Sequence, residues 1–133
     1  MVSMMNHFIF VINDTEIELD RRLIAKQWPF YENTNNVRNL KGGDKIVIYE
    51  AGSDKHRFVA DAEIDSVTNT AKQKIINLRN VLKWKKSVDI KNIYENLEII
   101  KKPAYFGVYL AGGIKRISPS DFELIVSNKL LTT

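Results

Sequence analysis

The sequence predicts an α+β domain in which a small, curled, mixed β-barrel is flanked by helices. Three observations support this prediction. Short runs rich in β-branched and aromatic residues recur along the chain, turn signals join two of them into a hairpin, and capped helical segments lie near both ends. With 133 residues, of which 44% are hydrophobic, a single domain spanning residues 1–133 is expected.

The first strand and the first helix are predicted from a short apolar run and a capping pattern. Asn6 to Asn13 is a run with Phe, Ile and Val that predicts a buried strand. Thr15 with Glu18 three residues later is a capping box, so a helix is expected from there to Lys26. Its expected inward side chains are Ile17, Leu23 and Ile24.

The stretch from Gln27 to Ala51 is the most informative part of the sequence. An irregular loop over 28–36 mixes aromatic side chains with Asn and Thr, and the turn signal Gly42-Gly43-Asp44 leads into a strand over 44–50. A loop of this composition suits the capture of a flat polar ring by stacking and edge hydrogen bonds. The plainer interpretation is that Trp28 plugs the core and the Asn run forms turns.

The rest of the chain alternates between strand and helix patterns. His56 to Val67 alternates apolar and polar residues, which predicts an antiparallel partner for strand 44–50. Thr68 to Lys83 has apolar residues at spacings of 4, 3 and 4, which predict a helix. Trp84 to Ile90 returns to strand character. A Ser-Pro-Ser-Asp sequence over 118–121 predicts the start of the last helix.

Several kinds of protein are disfavoured by composition. The chain has no cysteine, and its two histidines lack helical partners, so neither a metal site nor a cofactor is expected. No apolar run approaches the length of about 20 residues that spans a bilayer, so no membrane partner is expected. The first residues do not resemble a signal peptide. We therefore expect a cytoplasmic location.

The net charge of +4 is distributed unevenly. Residues 71–116 hold 11 Lys and Arg against 3 Asp and Glu, a net charge of +8, whereas residues 1–70 carry a net charge of −3. A basic segment of this kind is typical of a surface that faces phosphates. The alternative is a solvated face whose charge bias has no function.

Three pieces of the sequence, in this order, resemble the EVE domain of the PUA-like superfamily, a relative of the YTH and ASCH domains. The first is Trp28, followed by Asn33-Thr34 and by the run from Leu40 through Gly43-Asp44-Lys45 to Tyr49. The second is the alternating strand over 58–64. The third is the ending from Phe106-Gly107 through Gly112-Gly113 and Asp121-Phe122 to Ile125.

The resemblance implies a curled barrel and a non-catalytic module that binds RNA or modified DNA. It implies an aromatic cage for a modified or unpaired base, with Trp28 and Trp84 as walls. The chain lacks the Ser-Ser-Thr that follows the first cage Trp in YTH domains, so the resemblance does not specify methyladenine. The expected base pocket is Trp28, Tyr31, Asn33, Thr34, Tyr49, Glu50 and Trp84. The expected phosphate contacts are Lys83, Lys85, Lys86, Lys101, Lys102, Lys115 and Arg116.

Two other functions remain open at this stage. ASCH-type relatives include amidohydrolases that act on modified nucleosides, for which Thr34, Lys45 and Glu50 are the candidate catalytic residues. The third possibility is a protein-interaction module with no ligand. The sequence does not indicate the base, the choice between RNA and DNA, or the oligomeric state.

Overall fold

The structure, a computed structural model, describes residues 5–52 and 55–131 and shows a curled, mixed six-stranded sheet with three α-helices in these residues. The strands are β1 (His7–Ile12), β2 (Gln27–Tyr31), β3 (Lys45–Glu50), β4 (Arg57–Asn69), β5 (Gln73–Asp89) and β6 (Ile114–Ile117). The helices are α1 (Glu16–Ala25), α2 (Phe106–Tyr109) and α3 (Pro119–Leu131). Single turns of 3-10 helix lie at Val37–Asn39, Ile90–Asn92, Tyr94–Asn96 and Pro103–Tyr105.

The strand order is β2-β5-β4-β3-β1-β6. β1 and β3 are parallel, and the other neighbouring strands are antiparallel. Register shifts interrupt the pairing of β3 with β4 and of β4 with β5. Such bulges increase local twist, which favours a curled sheet over a flat one. The predicted α+β class and curled mixed sheet are confirmed.

The sheet separates two clusters of buried apolar side chains. Because side chains alternate along a strand, Ile46 and Ile48 of β3 enter the cluster that also holds Leu19 and Leu23 of α1. Val47 and Tyr49 enter the other cluster, which holds Phe122 and other residues of α3. We call these the α1 core and the α3 core. The end of β3 therefore presents neighbouring residues to opposite faces of the sheet.

The predicted Gly42-Gly43-Asp44 turn fixes how β3 begins. A Cβ on Gly42 would lie 2.8 Å from the carbonyl oxygen of Asp65, so a larger residue would push the turn off β4. Gly43 has φ +95°, a conformation that side chains other than glycine rarely adopt. The buried carboxylate of Asp44 accepts hydrogen bonds from the backbone N–H groups of Asn6 and Lys41. These bonds anchor the turn beside β1.

Two helix predictions are confirmed at their N-termini. Thr15 caps α1 by accepting a hydrogen bond from the Glu18 N–H at 3.1 Å. The Ser118 hydroxyl accepts one from the Asp121 N–H at 3.1 Å, and Pro119 opens α3. Both first turns carry acidic residues, which interact favourably with the helix dipole.

The predicted inward face of α1 is partly wrong. Leu23 is buried, but Ile17 and Ile24 are 75% and 81% exposed, and Leu19 takes the inward position instead. Leu19 and Leu23 are one turn apart, so the buried stripe is narrow. The segment that we expected to be an irregular loop begins with a strand, because residues 27–31 form β2 and pair with β5.

The predicted helix over 68–83 is wrong, because this segment belongs to the hairpin of β4 and β5. Thr70 closes the turn by hydrogen bonding to Gln73, and β5 then runs to Asp89. Of the apolar residues used for the helical pattern, Leu78 is buried and Leu82 is 49% exposed. The residues that pack inward are Ile76 and Leu78, at the spacing of 2 that a strand requires.

Candidate nucleic-acid interface

Trp28, expected as one wall of an aromatic cage, is completely buried. It pairs with Ile76 across β2 and β5, which turns the indole into the α1 core. The ring centroids of Phe10 and Trp28 are 5.9 Å apart. The guanidinium carbon of Arg22 lies 4.9 Å from the centroid of the Trp28 ring. The prediction that Trp28 lines an open pocket is therefore wrong. The plainer interpretation, a core plug, describes its position.

Trp84, expected as the other wall, lies at the edge of a cavity. Its side chain packs in the α3 core and keeps only 8% of its surface exposed, so it is not an open cage wall. Its Nε1–H donates a 2.7 Å hydrogen bond to the Asp61 carboxylate. The same carboxylate pairs with Lys129 of α3 at 3.0 Å, and the Lys129 ammonium lies 5.6 Å from the indole centroid. One carboxylate thus fixes both the orientation of the ring and the cation beside it.

The cavity beside Trp84 has a volume of about 300 Å³, which falls at the lower end of small-ligand sites. The start of α1, the end of β3 and the facing parts of β4 and β5 form it. We call it the Trp84 cavity. Its lining residues are Glu16, Leu19, Glu50, Arg57, Val59, Lys83, Trp84, Lys85 and Ser87.

Glu50 supplies a buried carboxylate to this cavity, with a side chain that is only 3% exposed. Lys55 pairs with one of its oxygens at 3.1 Å and Arg57 with the other at 2.9 Å. A buried charge without partners is costly, and here two cations neutralise it. The guanidinium of Arg57 uses only its Nε–H in this pair and keeps other donors beside the cavity.

The predicted phosphate contacts do not all lie together. Lys83 and Lys85 line the Trp84 cavity, and Lys86 follows them on β5. Lys83 pairs with Asp20 of α1 at 2.6 Å, whereas no ion pair holds Lys85 in the described part of the chain. The others lie on different elements. Lys101 and Lys102 are exposed before the 3-10 turn at Pro103–Tyr105, and Lys115 and Arg116 lie on β6, at the far edge of the sheet from β2 and β5.

The remaining members of the predicted base pocket are distributed over three places. Glu50 joins Trp84, Thr34 lines a cavity of about 170 Å³ beside Lys115, and Tyr49 lines one of about 270 Å³ on the opposite face of the sheet. Tyr31 is 69% exposed and Asn33 is exposed. The seven residues therefore do not form a single pocket.

The three candidate catalytic residues do not lie together either. Lys45 and Glu50 are at opposite ends of β3, and five residues of strand separate their backbones by about 16 Å. Thr34 lines a cavity that contains neither of them. In addition, residues 5–52 and 55–131 hold no group of three or more His, Asp or Glu side chains arranged as metal ligands.

Three residues that contribute to this site were not predicted: Arg57, Asp61 and Lys129. Arg57 and Asp61 are polar members of the alternating segment 56–67, and alternation alone predicts that they face solvent. The pairing of β4 with β5 brings them beside Trp84, and the misassigned helix over 68–83 concealed that pairing. Lys129 arrives from α3, a contact between residues 68 positions apart. No local pattern in the sequence indicates it.

Comparison with known proteins supports the fold. No family model and no curated protein matches the chain. Among solved structures, it is similar to the N-terminal domain of Staphylothermus marinus McrB, with 12% identity over 91% of this chain and 93% of that chain and a TM-score of 0.66. It is also similar to ASCH from Zymomonas mobilis, with 10% identity, coverages of 91% and 94%, and a TM-score of 0.61.

A third similar structure is the YTH domain of the Zygosaccharomyces rouxii MRB1 protein, with 14% identity over 94% of this chain and 86% of that chain and a TM-score of 0.63. These structures share the PUA-like fold, and the chain has it too. Among the described residues, no helix is long and apolar enough to cross a membrane.

Proposed function

We propose that this chain is a non-catalytic nucleic-acid-binding module of the EVE type, which takes an unpaired or modified base into the Trp84 cavity. The observation that carries the proposal is that Trp84 and two exposed lysines, Lys83 and Lys85, line one cavity of about 300 Å³. Bases stack on aromatic side chains whatever their sequence, and cations beside them hold the backbone.

The two kinds of group around the cavity suit the two parts of a nucleotide. Lys85 is exposed and has no ion pair in the described part of the chain, so a phosphate can bind it without displacing a carboxylate. Glu50 and Arg57 present an acceptor and donors to a ligand in the cavity. Exocyclic amines and ring carbonyls of bases need such partners.

The similar YTH domain is described as a complex with N6-methyladenosine RNA, and this description supports nucleic acid as the partner of this fold. The base, and the choice between RNA and modified DNA, stay open in the proposal. A duplex target would have to extrude the base, at a cost of a few kcal/mol. We therefore expect single-stranded or damaged sites to bind with higher affinity than an intact duplex.

Binding of fluorescent single-stranded RNA and DNA oligonucleotides, with and without modified bases, tests the proposal. We expect Lys85→Ala to weaken binding of every oligonucleotide and to lower the salt dependence, because one phosphate contact is lost. Lys91→Ala removes an equal charge from an exposed site outside the cavity and serves as the matched control. Equal affinities for these two variants would contradict a phosphate site at the cavity.

Two further measurements separate the base pocket from general charge binding. Trp84→Phe keeps a ring but loses area and the bond to Asp61, so we expect it to weaken binding by less than the roughly 1–3 kcal/mol of a complete stacking loss. Incubation with acylated nucleosides tests the non-catalytic part of the proposal. Release of free nucleoside in proportion to protein concentration would mean that the chain is a hydrolase and would contradict the non-catalytic part of the proposal.

A further inference from the structure

A second cavity lies on the face of the sheet opposite Glu50. Tyr49 precedes Glu50 on β3 and points into the α3 core, where it lines a cavity of about 270 Å³. Asn13, His56 and the segment 107–112 form the other walls. We call this the Tyr49 cavity. It shares no lining residue with the Trp84 cavity.

The Tyr49 hydroxyl is a buried polar group with one weak partner in the described part of the chain. The residue is 1% exposed, and its oxygen lies 3.5 Å from Nδ1 of His56. Hydroxyl hydrogen bonds are ordinarily about 2.5–3.0 Å long, so neither atom is well satisfied by the other. Burial raises the pKa of the Tyr49 phenol, which keeps it a protonated donor at neutral pH.

The backbone conformation of His56 gives this site a second unusual feature. His56 has φ +47°, in the left-handed region that residues other than glycine seldom occupy. Its ring packs edge-on against Phe106, with centroids 5.2 Å apart. Strained residues of this kind cluster at ligand sites. Here the strained residue places an imidazole at the wall of a cavity.

The chemistry of the walls defines the kind of ligand. Among the residues that the structure describes, no Asp, Glu, Lys or Arg lines the Tyr49 cavity, which favours a neutral ligand. The hydroxyl of Tyr49, the imidazole of His56 and the amide of Asn13 can each donate or accept a hydrogen bond. Gly107 and Gly112 have no side chains, so a flat ring can approach the backbone closely. A neutral heteroaromatic ring with amide-type edges, such as a nucleobase, meets these requirements.

An adjoining cavity of about 170 Å³ shares Ala111 and Gly112 with the Tyr49 cavity. Thr34 and Lys115 lie on its walls. No ion pair holds Lys115 within the described residues, so its ammonium is available to an anion. Gly113 also lines this cavity, and a Cβ on it would lie 2.9 Å from the Thr34 methyl group, so a larger residue would push the turn away from Thr34.

We propose that these two cavities together bind one nucleotide, with the base beside Tyr49 and His56 and the phosphate beside Lys115. This site is distinct from the Trp84 cavity and does not depend on the function proposed for it. A free nucleoside monophosphate and a nucleotide within a strand share this chemistry.

Amide chemical shifts, followed by NMR during titration, test the site in the full-length protein. The probes are adenosine, guanosine, cytidine and uridine, their 5′-monophosphates, and short single-stranded oligonucleotides. We expect shifts at residues 49–52 and 107–113, and tighter binding of a monophosphate than of its nucleoside. If oligonucleotides shift the same amides and bind with higher affinity than monophosphates, the natural ligand is a nucleotide within a strand. The reverse order would identify the free nucleotide.

Three variants assign the contacts. Tyr49→Phe removes only the hydroxyl and should weaken nucleoside binding by about 2- to 10-fold, the range for one neutral hydrogen bond. His56→Asn tolerates the left-handed backbone and should also weaken it. Lys115→Ala should abolish the advantage of the monophosphate while leaving nucleoside binding unchanged, and Lys91→Ala should change neither. Unchanged nucleoside affinity in Tyr49→Phe, or shifts confined to residues 83–87, would overturn this proposal and leave the Trp84 cavity unaffected.

Discussion

Asp61 is the residue whose replacement tests most directly what holds the Trp84 indole in place. Its carboxylate accepts a 2.7 Å hydrogen bond from the Trp84 indole and pairs with Lys129 at 3.0 Å. The Lys129 and Asp61 side chains are 19% and 20% exposed, so solvent screens the pair only in part. Asp61→Ala removes both interactions and leaves the indole N–H without its acceptor.

The expected loss of stability follows from these two contacts. A hydrogen bond to a charged group contributes about 1.5–3 kcal/mol, and a partly exposed ion pair about 0.2–1 kcal/mol. The sum predicts a decrease of about 2–4 kcal/mol in the free energy of unfolding. Asp61→Asn keeps an acceptor for the indole and loses only the charge, so its effect should be closer to about 1 kcal/mol.

Urea unfolding followed by far-UV circular dichroism measures this difference. With a slope of about 1.5 kcal/mol per molar urea, the midpoint should fall by about 1.3–2.7 M for Asp61→Ala. Asp65→Ala is a matched control on the same strand, since its carboxylate is 54% exposed and 3.6 Å from Arg79. We expect that control to stay within about 0.5 kcal/mol of the parent. A midpoint for Asp61→Ala no lower than that of the control would refute the coupling of Asp61 to Trp84.

Three other predictions concern the core, the charge and the pH dependence. Phe58→Ala should lower the free energy of unfolding by about 3–5 kcal/mol, because Phe58 is completely buried; urea midpoints test this. Replacing Lys85 and Lys86 with Ala should reduce the slope of log affinity against log salt by about 1.4–1.8, measured by oligonucleotide titrations; an unchanged slope would remove both lysines from the interface. Burial, and then the nearby Lys45, lower the pKa of His7. The folded state therefore binds a proton at His7 less readily than the unfolded state does. The contribution of neutral His7 to the free energy of unfolding should be complete above the ordinary pKa of about 6.5 and should decrease as the pH falls below it. His7→Phe should abolish this part of the pH dependence in unfolding midpoints between about pH 7.5 and about pH 5.5.

The fold was largely predictable because most strands carry their pattern locally. The alternation over 58–64 predicts that Phe58, Ala60, Ala62 and Ile64 share one face of β4. All four are buried, but only the last three enter the α1 core. Phe58 enters the α3 core, because a register shift interrupts the alternation after it. The secondary-structure prediction failed over 68–83, where the apolar residues fit the spacing of a helix as well as a strand. Apolar residues between Ala71 and Leu82 fit a helix by spacing, and only the pairing with β4 decides that they form a strand. Pairing is a long-range property that a single segment does not encode.

The candidate site was predictable only in part, for a related reason. Lysines on either side of Trp84 indicate a position near the surface, and Lys83 and Lys85 are exposed, but Trp84 itself is 8% exposed and packs in the α3 core. Trp28 has no comparable flanking charge, and it enters the α1 core beneath α1. Sequence patterns indicate which residues are near the surface, but the curl of the sheet decides which of them face one another. Thr34 and Tyr49 therefore line cavities different from that of Trp84.

The position of the two proposed sites follows from the alternation of one strand. Tyr49 and Glu50 are consecutive, so their side chains leave β3 on opposite faces, and each enters a separate cavity. The two cavities share no lining residue, although Trp84 and Tyr49 both pack in the α3 core. The cavities come near each other at the end of β3, because His56 lines one and its neighbour Arg57 lines the other. Since both residues are only partly buried, we expect a strand that filled both proposed sites to contact both side chains at this end of the sheet.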